Sequence, residues 1–331
     1  MRSRRMQLIG LAGASILTLT AASAAMAQEE YPSGGISIMA PGGAGGGWDG
    51  TARAMQAALE SGVIEQQVNV YNRGGAAGTI GLAQFVSDFE GQPHELMVMG
   101  RVMVGGILLN EAEVSLDQIT PIASLTTEYE AIAVADDSPH QTLQDLVDAF
   151  AADPTGTAWV GGSAGGTDHM VVARLAQELG IAPDEINYIP TAGGGELIPA
   201  MLSGDAAAGV SGTSEFASQV ASGDLRLLAV SSADRIDGID APTITEATGL
   251  PVEVSNWRGV VASGGISDED KAAIVAMVEE MHATDSWQES LTANQWTDFK
   301  QTGADFEAFL AQEKETVATI LEEIGLVTPD A

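Results

Sequence analysis

The chain has 331 residues, with 46 acidic residues against 13 lysines and arginines, and it contains no cysteine. The absence of cysteine excludes disulfide bonds, thiolate metal sites and thiol nucleophiles. The length exceeds what one hydrophobic core usually serves, so two domains are expected. A net charge of −33 argues against nucleic acid and anionic lipid as partners, because such a surface repels both.

The first 27 residues have the features of an export signal. Arg2, Arg4 and Arg5 form a basic start, an apolar run covers residues 8–19, and Ala25-Met26-Ala27 supplies a small-x-small cleavage pattern. The apolar run is too short for a good membrane span. We therefore predict a signal peptide over residues 1–27, the general secretory route and a periplasmic location.

Removal of the signal makes the charge more negative. From Gln28 onward, 10 basic residues remain against 46 acidic ones, a net charge of −36. The acidic residues are spread along the whole chain, so we interpret them as a halophilic adaptation to a saline medium and not as a functional patch.

Short apolar runs rich in β-branched residues alternate with helical patterns, which predicts an α/β protein. After residue 261 the pattern becomes helical, with helices expected near 268–282 and 305–324 and no strand. The predicted strands cover residues 36–40, 68–71, 96–99, 131–135, 158–160, 186–189, 206–210 and 227–230.

Glycine is concentrated between predicted strands and the helices that follow them, at residues 42–50, 74–78, 161–166 and 193–195. In open α/β sheets such loops gather at the carboxyl ends of the strands, beside the ligand cleft. Glycine allows close backbone approach, and the next helix presents free N–H groups. The set predicts binding of an anion, although a single glycine-rich loop can simply connect two elements.

Two glycine motifs suggest enzymes. Residues 45–50 match the dinucleotide pattern GxGxxG, but the next strand ends in Asn72-Arg73 instead of an acid that would bind a ribose. Residues 161–165 match the GxSxG of a hydrolase, with Ser163 as nucleophile and His169 or His282 as partner. The serine hydrolase remains the main alternative. The histidines show no metal-ligand spacing, and no metal or cofactor is expected.

Three charged residues near these loops have specific predicted roles. Asp49 and Asp168 each lie where a predicted helix starts, and a carboxylate there caps free N–H groups. Arg101 follows a predicted strand and is a candidate counter-charge for an anionic ligand.

An ordered set of short motifs resembles the substrate-binding proteins of tripartite tricarboxylate transporters, also called the Bug family. The resemblance covers nearly the whole chain after the signal. Its residues are Tyr31-Pro32, Ala40-Pro41-Gly42-Gly43, Asp49, Ala52-Arg53, Asn72-Arg73-Gly74-Gly75-Ala76, Gly78-Thr79-Ile80-Gly81, the run from Gly162 to His169, Ile189-Pro190-Thr191, Gly194, Leu202-Ser203-Gly204-Asp205, the run from Leu225 to Val230, Pro242-Thr243-Ile244 and Trp257-Arg258-Gly259.

The resemblance implies a type II periplasmic-binding-protein fold with a ligand cleft between two α/β domains. We place domain 1 at residues 28–131 plus 257–331 and domain 2 at 132–256. With Asp49 and Arg101 added, the implied ligand-binding residues are Pro41, Gly42, Gly45, Gly46, Gly47, Trp48, Ser163, Ala164, Gly165, Gly166, Thr167, Asp168, His169, Thr191, Gly193, Gly194, Ser211, Gly212 and Thr213.

The resemblance also implies a function. The protein would be a receptor and not an enzyme, would bind a small di- or tricarboxylate as a monomer, and would deliver it to one large and one small membrane subunit. A citrate-like ligand is favoured because the expanded segment 45–49 resembles the branch associated with tricarboxylates.

The negative surface predicts a salt response. Raising sodium chloride from about 0.1 M to about 1 M should raise both the melting temperature and the association rate of a carboxylate, because distant repulsive charges are then screened. Thermal unfolding and stopped-flow tryptophan fluorescence measure the two effects. An association rate that falls steadily with salt would contradict this prediction and indicate a positive field at the cleft, with Arg101 and Arg258 as its first suspected sources.

Overall fold

The computed structural model describes residues 31–192 and 194–328, so the predicted signal peptide lies outside the described part of the chain. Within these ranges a ten-stranded mixed sheet has the order β2-β1-β3-β9-β4-β7-β5-β6, and β8 and β10 both pair with β4. The strands are β1 (Ile36–Ala40), β2 (Val68–Asn72), β3 (Glu95–Gly100), β4 (Ile119–Ala135), β5 (Trp159–Gly161), β6 (Tyr188–Pro190), β7 (Ala208–Gly212), β8 (Leu225–Val230), β9 (Ser255–Ser263) and β10 (Thr297–Thr302).

Helices cover both faces of the sheet and follow most of its strands. Three short 3-10 turns, at Ala76–Gly78, Leu116–Gln118 and Pro183–Glu185, complete the connections. The helices are α1 (Gly47–Glu60), α2 (Thr79–Asp88), α3 (Arg101–Leu109), α4 (Leu143–Ala152), α5 (Thr167–Leu179), α6 (Gly194–Leu202), α7 (Thr213–Ser222), α8 (Ile244–Thr248), α9 (Asp268–His282), α10 (Asp285–Ala293) and α11 (Gly303–Glu323).

The long strand β4 divides the sheet into two halves. Its residues up to Tyr129 pair with β9, and from Glu130 onward it pairs with β7 and β8. In the first half β1 lies parallel between β2 and β3, whereas in the second half β5 lies parallel between β6 and β7. Each half therefore has its own set of strand-to-helix loops.

The eight predicted strands all overlap observed ones, but the expectation of no strand after residue 261 is wrong. β10 lies there and pairs antiparallel with β4. Its sequence, Thr-Asp-Phe-Lys-Gln-Thr, lacks apolar alternation because the strand is largely exposed. β9 and the first part of β4 were also missed, since pairing in the sheet interior buries their polar residues.

The helices follow the predicted apolar faces. Ala52, Met55 and Leu59 of α1 are completely buried, and α5 ends at Gly180, whose φ of 73° is a left-handed conformation that glycine adopts without strain. The last helix, α11, packs on α3 and β4, and its buried Phe306 contacts Trp257 of β9. No helix in the described ranges is long and apolar enough to cross a membrane.

A buried ion pair connects α11 to α3 and β9. The Arg101 guanidinium donates to both carboxylate oxygens of Glu313, at 2.5 and 3.2 Å, and to the Ser255 carbonyl at 2.8 Å. Trp257 Nε1 donates to Glu313 Oε1 at 2.8 Å. The Glu313 side chain is only 4% exposed, so its charge depends on these donors.

Replacing Glu313 with alanine should therefore destabilise the protein by about 3–5 kcal/mol, because it leaves the Arg101 charge buried without a partner. Lys314→Ala on the same helix is the matched control. It removes one partner of an exposed pair with Asp117 and should cost less than about 1 kcal/mol. Urea unfolding measures both values, and equal losses would contradict the assignment.

Candidate functional site

Loops from both halves of the sheet enclose a cavity of about 340 Å³. Its walls are the loops after β1, β5 and β6, the 3-10 turn after β2, the end of β7 with the first turn of α7, and two side chains of β9. The carboxyl ends of parallel strands thus face the cavity, as expected for a ligand site in an open α/β sheet.

Many of the predicted ligand-binding residues meet at this cavity. They come from segments far apart in the chain, which the two sets of parallel strands bring to one place. Those that line it are Pro41, Gly42, Gly46, Gly47, Trp48, Ser163, Ala164, Gly166, Thr167, Asp168, Thr191, Ser211 and Gly212.

The other predicted residues take different positions. Arg101 is engaged by Glu313, away from the cavity lining. Gly193 lies outside the described residues, and Gly194 is the first residue of α6. Residues adjacent to the lining without forming it are Gly45, Asp49, Gly165, His169 and Thr213.

Sequence reasoning missed several lining residues. Two of them, Asn256 and Arg258, lie on β9, which was not predicted as a strand. Glu215 lies in the first turn of α7. The signal for Arg258 was its place in the Trp-Arg-Gly motif. The remaining missed residues are Gly75, Ala76, Ala77, Val102, Asn110, Gly162 and Pro190, whereas Gly43 and Ala192 lie within the predicted segments 41–48 and 191–194.

Three helices begin at the cavity with glycine at the N-cap position, although in α1 the Gly47 N–H is accepted by Glu215 Oε1 at 3.1 Å. The N-cap residues of α1, α5 and α7 are Gly46, Gly166 and Gly212, and none of them has a side chain that could accept the free N–H groups of the first turn. An anion placed there receives hydrogen bonds and the favourable field of the helix ends. The arrangement therefore suits a carboxylate.

The two helix-start carboxylates predicted as caps hold the preceding loops instead. Asp49 accepts the Gly45 N–H at 3.0 Å and pairs with Arg53 at 2.9 Å. Asp168 accepts the Gly162 N–H at 2.5 Å. Each carboxylate therefore binds an amide of its glycine loop and shapes the loop in front of the helix.

Two glycines allow the halves to approach each other closely. The Gly43 N–H donates to the Ala192 carbonyl at 3.1 Å, and a Cβ on Gly43 would lie 3.0 Å from that oxygen. A Cβ on Gly47 would collide with the Arg258 guanidinium. The loop after β1 can therefore contact the second half and β9 only because these positions lack side chains.

Ionisable groups are unusually dense behind the cavity wall. The Arg258 guanidinium pairs with Glu128, and the two side chains are 4% and 1% exposed. Glu128 also accepts hydrogen bonds from Trp296 Nε1 at 3.1 Å and from the Ser214 hydroxyl at 3.3 Å. This pair compensates its own charges, so it offers little positive field to neighbouring carboxyl groups.

Those neighbouring carboxyl groups resist ionisation. Burial raises the pKa of Asp168 to about 6, against the opposing hydrogen bond from the Gly162 N–H. Burial also raises the pKa of Glu215 to about 7, although Arg258 acts in the other direction. The pKa of Glu130 is raised well above its usual range by burial and by the charge of Asp168.

Ser163 lines the cavity, but its surroundings do not resemble a catalytic dyad. In the described part of the chain, no hydrogen bond joins its hydroxyl to a histidine. His169 Nδ1 accepts the Gly165 N–H at 3.1 Å, and the ring stacks on Tyr188 at 4.2 Å between centroids. Burial lowers the pKa of His169 to about 4, so the imidazole is neutral at pH 7.

The close contact of Gly47 with Arg258 generates a prediction. Gly47→Ala should displace the guanidinium from Glu128 and destabilise the protein by about 1–3 kcal/mol, despite the helix preference of alanine. Gly34→Ala is the control, since a Cβ there meets no atom within 4 Å. Urea unfolding compares the variants, and equal midpoints would contradict the prediction.

Comparison with known proteins agrees with this geometry. The protein BugD, described as a periplasmic binding protein, has a similar structure with a TM-score of 0.81 and 21% identity, covering 89% of this chain and 99% of BugD. MatC from Rhodopseudomonas palustris, solved with bound malate, matches with a TM-score of 0.76 and 20% identity over 89% of this chain and 100% of MatC. These similarities confirm the type II periplasmic-binding-protein fold.

Sequence comparison identifies the family. Protein BugT from Bordetella pertussis is 26% identical over 320 residues, which cover 95% of this chain and 97% of BugT. The family model "Tripartite tricarboxylate transporter family receptor" matches residues 51–326. The chain therefore belongs to the receptor family of the tripartite tricarboxylate transporters.

Proposed function

We propose that this protein is an extracytoplasmic receptor that captures a small di- or tricarboxylate. The observation that carries the proposal is the convergence of three helix N-termini on one cavity, those of α1, α5 and α7, whose N-cap residues are glycines. N–H groups at helix starts bind carboxylates without a lysine, which suits a chain with three lysines in all.

The cavity dimensions and the structural relatives support the same ligand class. A volume of about 340 Å³ lies at the small end of the range for ligand pockets, as expected for a compact metabolite. MatC, which shares the fold, was solved with malate, a dicarboxylate. The preference for a citrate-like ligand stays a prediction from the sequence.

The two halves of the sheet would act as the two domains, with residues 28–131 plus 257–331 in one and 132–256 in the other. Support comes from β4, which changes its pairing partners between Tyr129 and Glu130. The bond from the Gly43 N–H to the Ala192 carbonyl bridges the cavity between them. Closure around a carboxylate would expel water and strengthen its hydrogen bonds.

The partners would be the large and small membrane subunits of the transporter, which would recognise the closed receptor. Export through a signal peptide over residues 1–27 would place the chain in the periplasm as a monomer. The protein would bind its ligand without chemical change, and Ser163 would contribute a hydrogen bond at the cavity wall.

A thermal-shift screen tests the proposal. Succinate, malate, adipate and citrate are the probes, with glucose and putrescine as controls that lack a carboxylate. A carboxylate at 100 times its dissociation constant should stabilise the protein by about 2.7 kcal/mol. If glucose or putrescine stabilises the protein and no carboxylate does, the proposal is wrong.

Gly46→Val is the matched variant that should no longer bind a carboxylate in this screen. Gly46 has φ −83° and ψ 170°, a conformation that valine adopts readily, so the fold should be kept. Its side chain would enter the cavity and abolish the carboxylate-induced shift. An unchanged shift in this variant would remove the loop after β1 from the binding site.

A further inference from the structure

Glu215 accepts a hydrogen bond from a backbone N–H group that a ligand carboxylate would need. It lies in the first turn of α7, in the second half of the sheet, and its Oε1 accepts the N–H of Gly47 at 3.1 Å. Gly47 is the first residue of α1, in the first half. Both residues line the cavity. The protein therefore places one of its own carboxyl groups at a helix N-terminus proposed to bind the ligand.

Four neighbouring elements place charged or polar groups near Glu215. Arg258 of β9 attracts its negative charge, whereas Glu128 of β4 and Asp168 of α5 repel it, and Ser211 of β7 hydrogen-bonds to it. Arg258 is already paired with Glu128. Among these groups, the charge left after the pairing of Arg258 with Glu128 is negative whenever Asp168 is ionised, and an added anion would increase the repulsion.

A negatively charged Glu215 opposes capture in two ways. It competes for the Gly47 N–H, and it repels a second carboxylate at close range inside the cavity. A neutral Glu215 does neither, because a carboxylic acid is a weaker acceptor and can donate a hydrogen bond to an anion. Its raised pKa of about 7 indicates that the neutral form is accessible near physiological pH.

We propose that Glu215 is a specificity-determining residue that couples the capture of a ligand carboxylate to the uptake of one proton from water. The proton joins the Glu215 carboxyl group as the ligand takes over the Gly47 N–H, and it returns to water when the ligand leaves. This inference rests on the proposed carboxylate-binding function. It predicts that the receptor discriminates by charge as well as by shape.

The sign of the pH dependence follows from the direction of the linkage. Below about pH 7 Glu215 is already neutral in the free protein, so binding requires no proton uptake. Above that pH each further unit should weaken binding, with a limit of tenfold per unit for one proton. Between about pH 6 and about pH 8.5 the affinity should fall on the order of 10- to 30-fold.

Isothermal titration calorimetry with malate and adipate as probes tests the coupling. The carboxyl groups of dicarboxylic acids titrate below about pH 6, so above about pH 7 the ligands carry a constant charge. Sodium chloride at about 1 M screens the distant charges of the protein. Titrations in two buffers of different ionisation enthalpy give the number of protons taken up, which should approach one above about pH 8 for the native protein.

Glu215→Gln keeps the shape and an acceptor for the Gly47 N–H but cannot ionise. Its affinity should be nearly constant with pH, equal to or higher than that of the native protein at about pH 8.5, with no proton uptake. Glu289→Gln is the matched control. It removes one negative charge from an exposed position on α10, outside the cavity lining, and should keep the native pH dependence.

The outcomes separate this inference from the proposed function. Binding without proton uptake, or a native pH profile in Glu215→Gln, would overturn the role of Glu215 and leave the receptor function intact. If Asp168→Asn loses the pH dependence while Glu215→Gln keeps it, the proton is assigned to Asp168 instead. If no carboxylate binds the native protein at any pH, both proposals fail. The number of protons that the native protein takes up on binding tests the coupling even if a variant does not fold.

Discussion

The buried pair of Arg258 and Glu128 is the interaction on which the cavity depends. Removing two charges from water is costly unless good geometry and further hydrogen bonds compensate, and Trp296 and Ser214 provide those bonds to Glu128. The pair joins β9 to β4 close to where β4 changes its pairing partners. The guanidinium reaches the cavity wall only because Gly47 has no side chain.

This arrangement would allow a strongly acidic protein to bind an anion, as proposed above. The attractive groups are backbone N–H groups at the starts of α1, α5 and α7, which act over hydrogen-bond distances. The repulsive groups are the carboxyl groups of Asp168 and Glu215, whose pKa values are raised by burial. Since Arg258 is already paired with Glu128, protonation of Asp168 or Glu215 would lower the negative charge around a bound anion.

The same glycine loops carry motifs typical of enzymes, but the surroundings of Ser163 differ from those of a hydrolase nucleophile. Ser163 lies between a strand and a helix as a hydrolase nucleophile would, but His169 is neutral and its Nδ1 accepts a backbone amide. Glycine in these loops serves close backbone approach, which a receptor cavity needs as much as a nucleotide site does. The side chains around a glycine loop determine whether it serves a receptor cavity or a nucleotide site, and those side chains lie outside the motif.

The sequence by itself determined the α/β class, the eight strands with apolar cores and the loops that reach the cavity. These features depend on local periodicity and on the glycine-rich loops after β1, β2, β5 and β6. It also carried the family resemblance. It did not reveal β10 or β9, because β10 is polar and exposed and the polar residues of β9 are buried only by its neighbours β3 and β4. Tertiary structure alone decided that Arg101 pairs with Glu313, that Arg258 reaches the cavity, and that Glu215 contacts Gly47, 168 positions away in the chain. The physical reason is that a charged side chain takes its role from the partners that folding places beside it, and sequence spacing does not contain those distances.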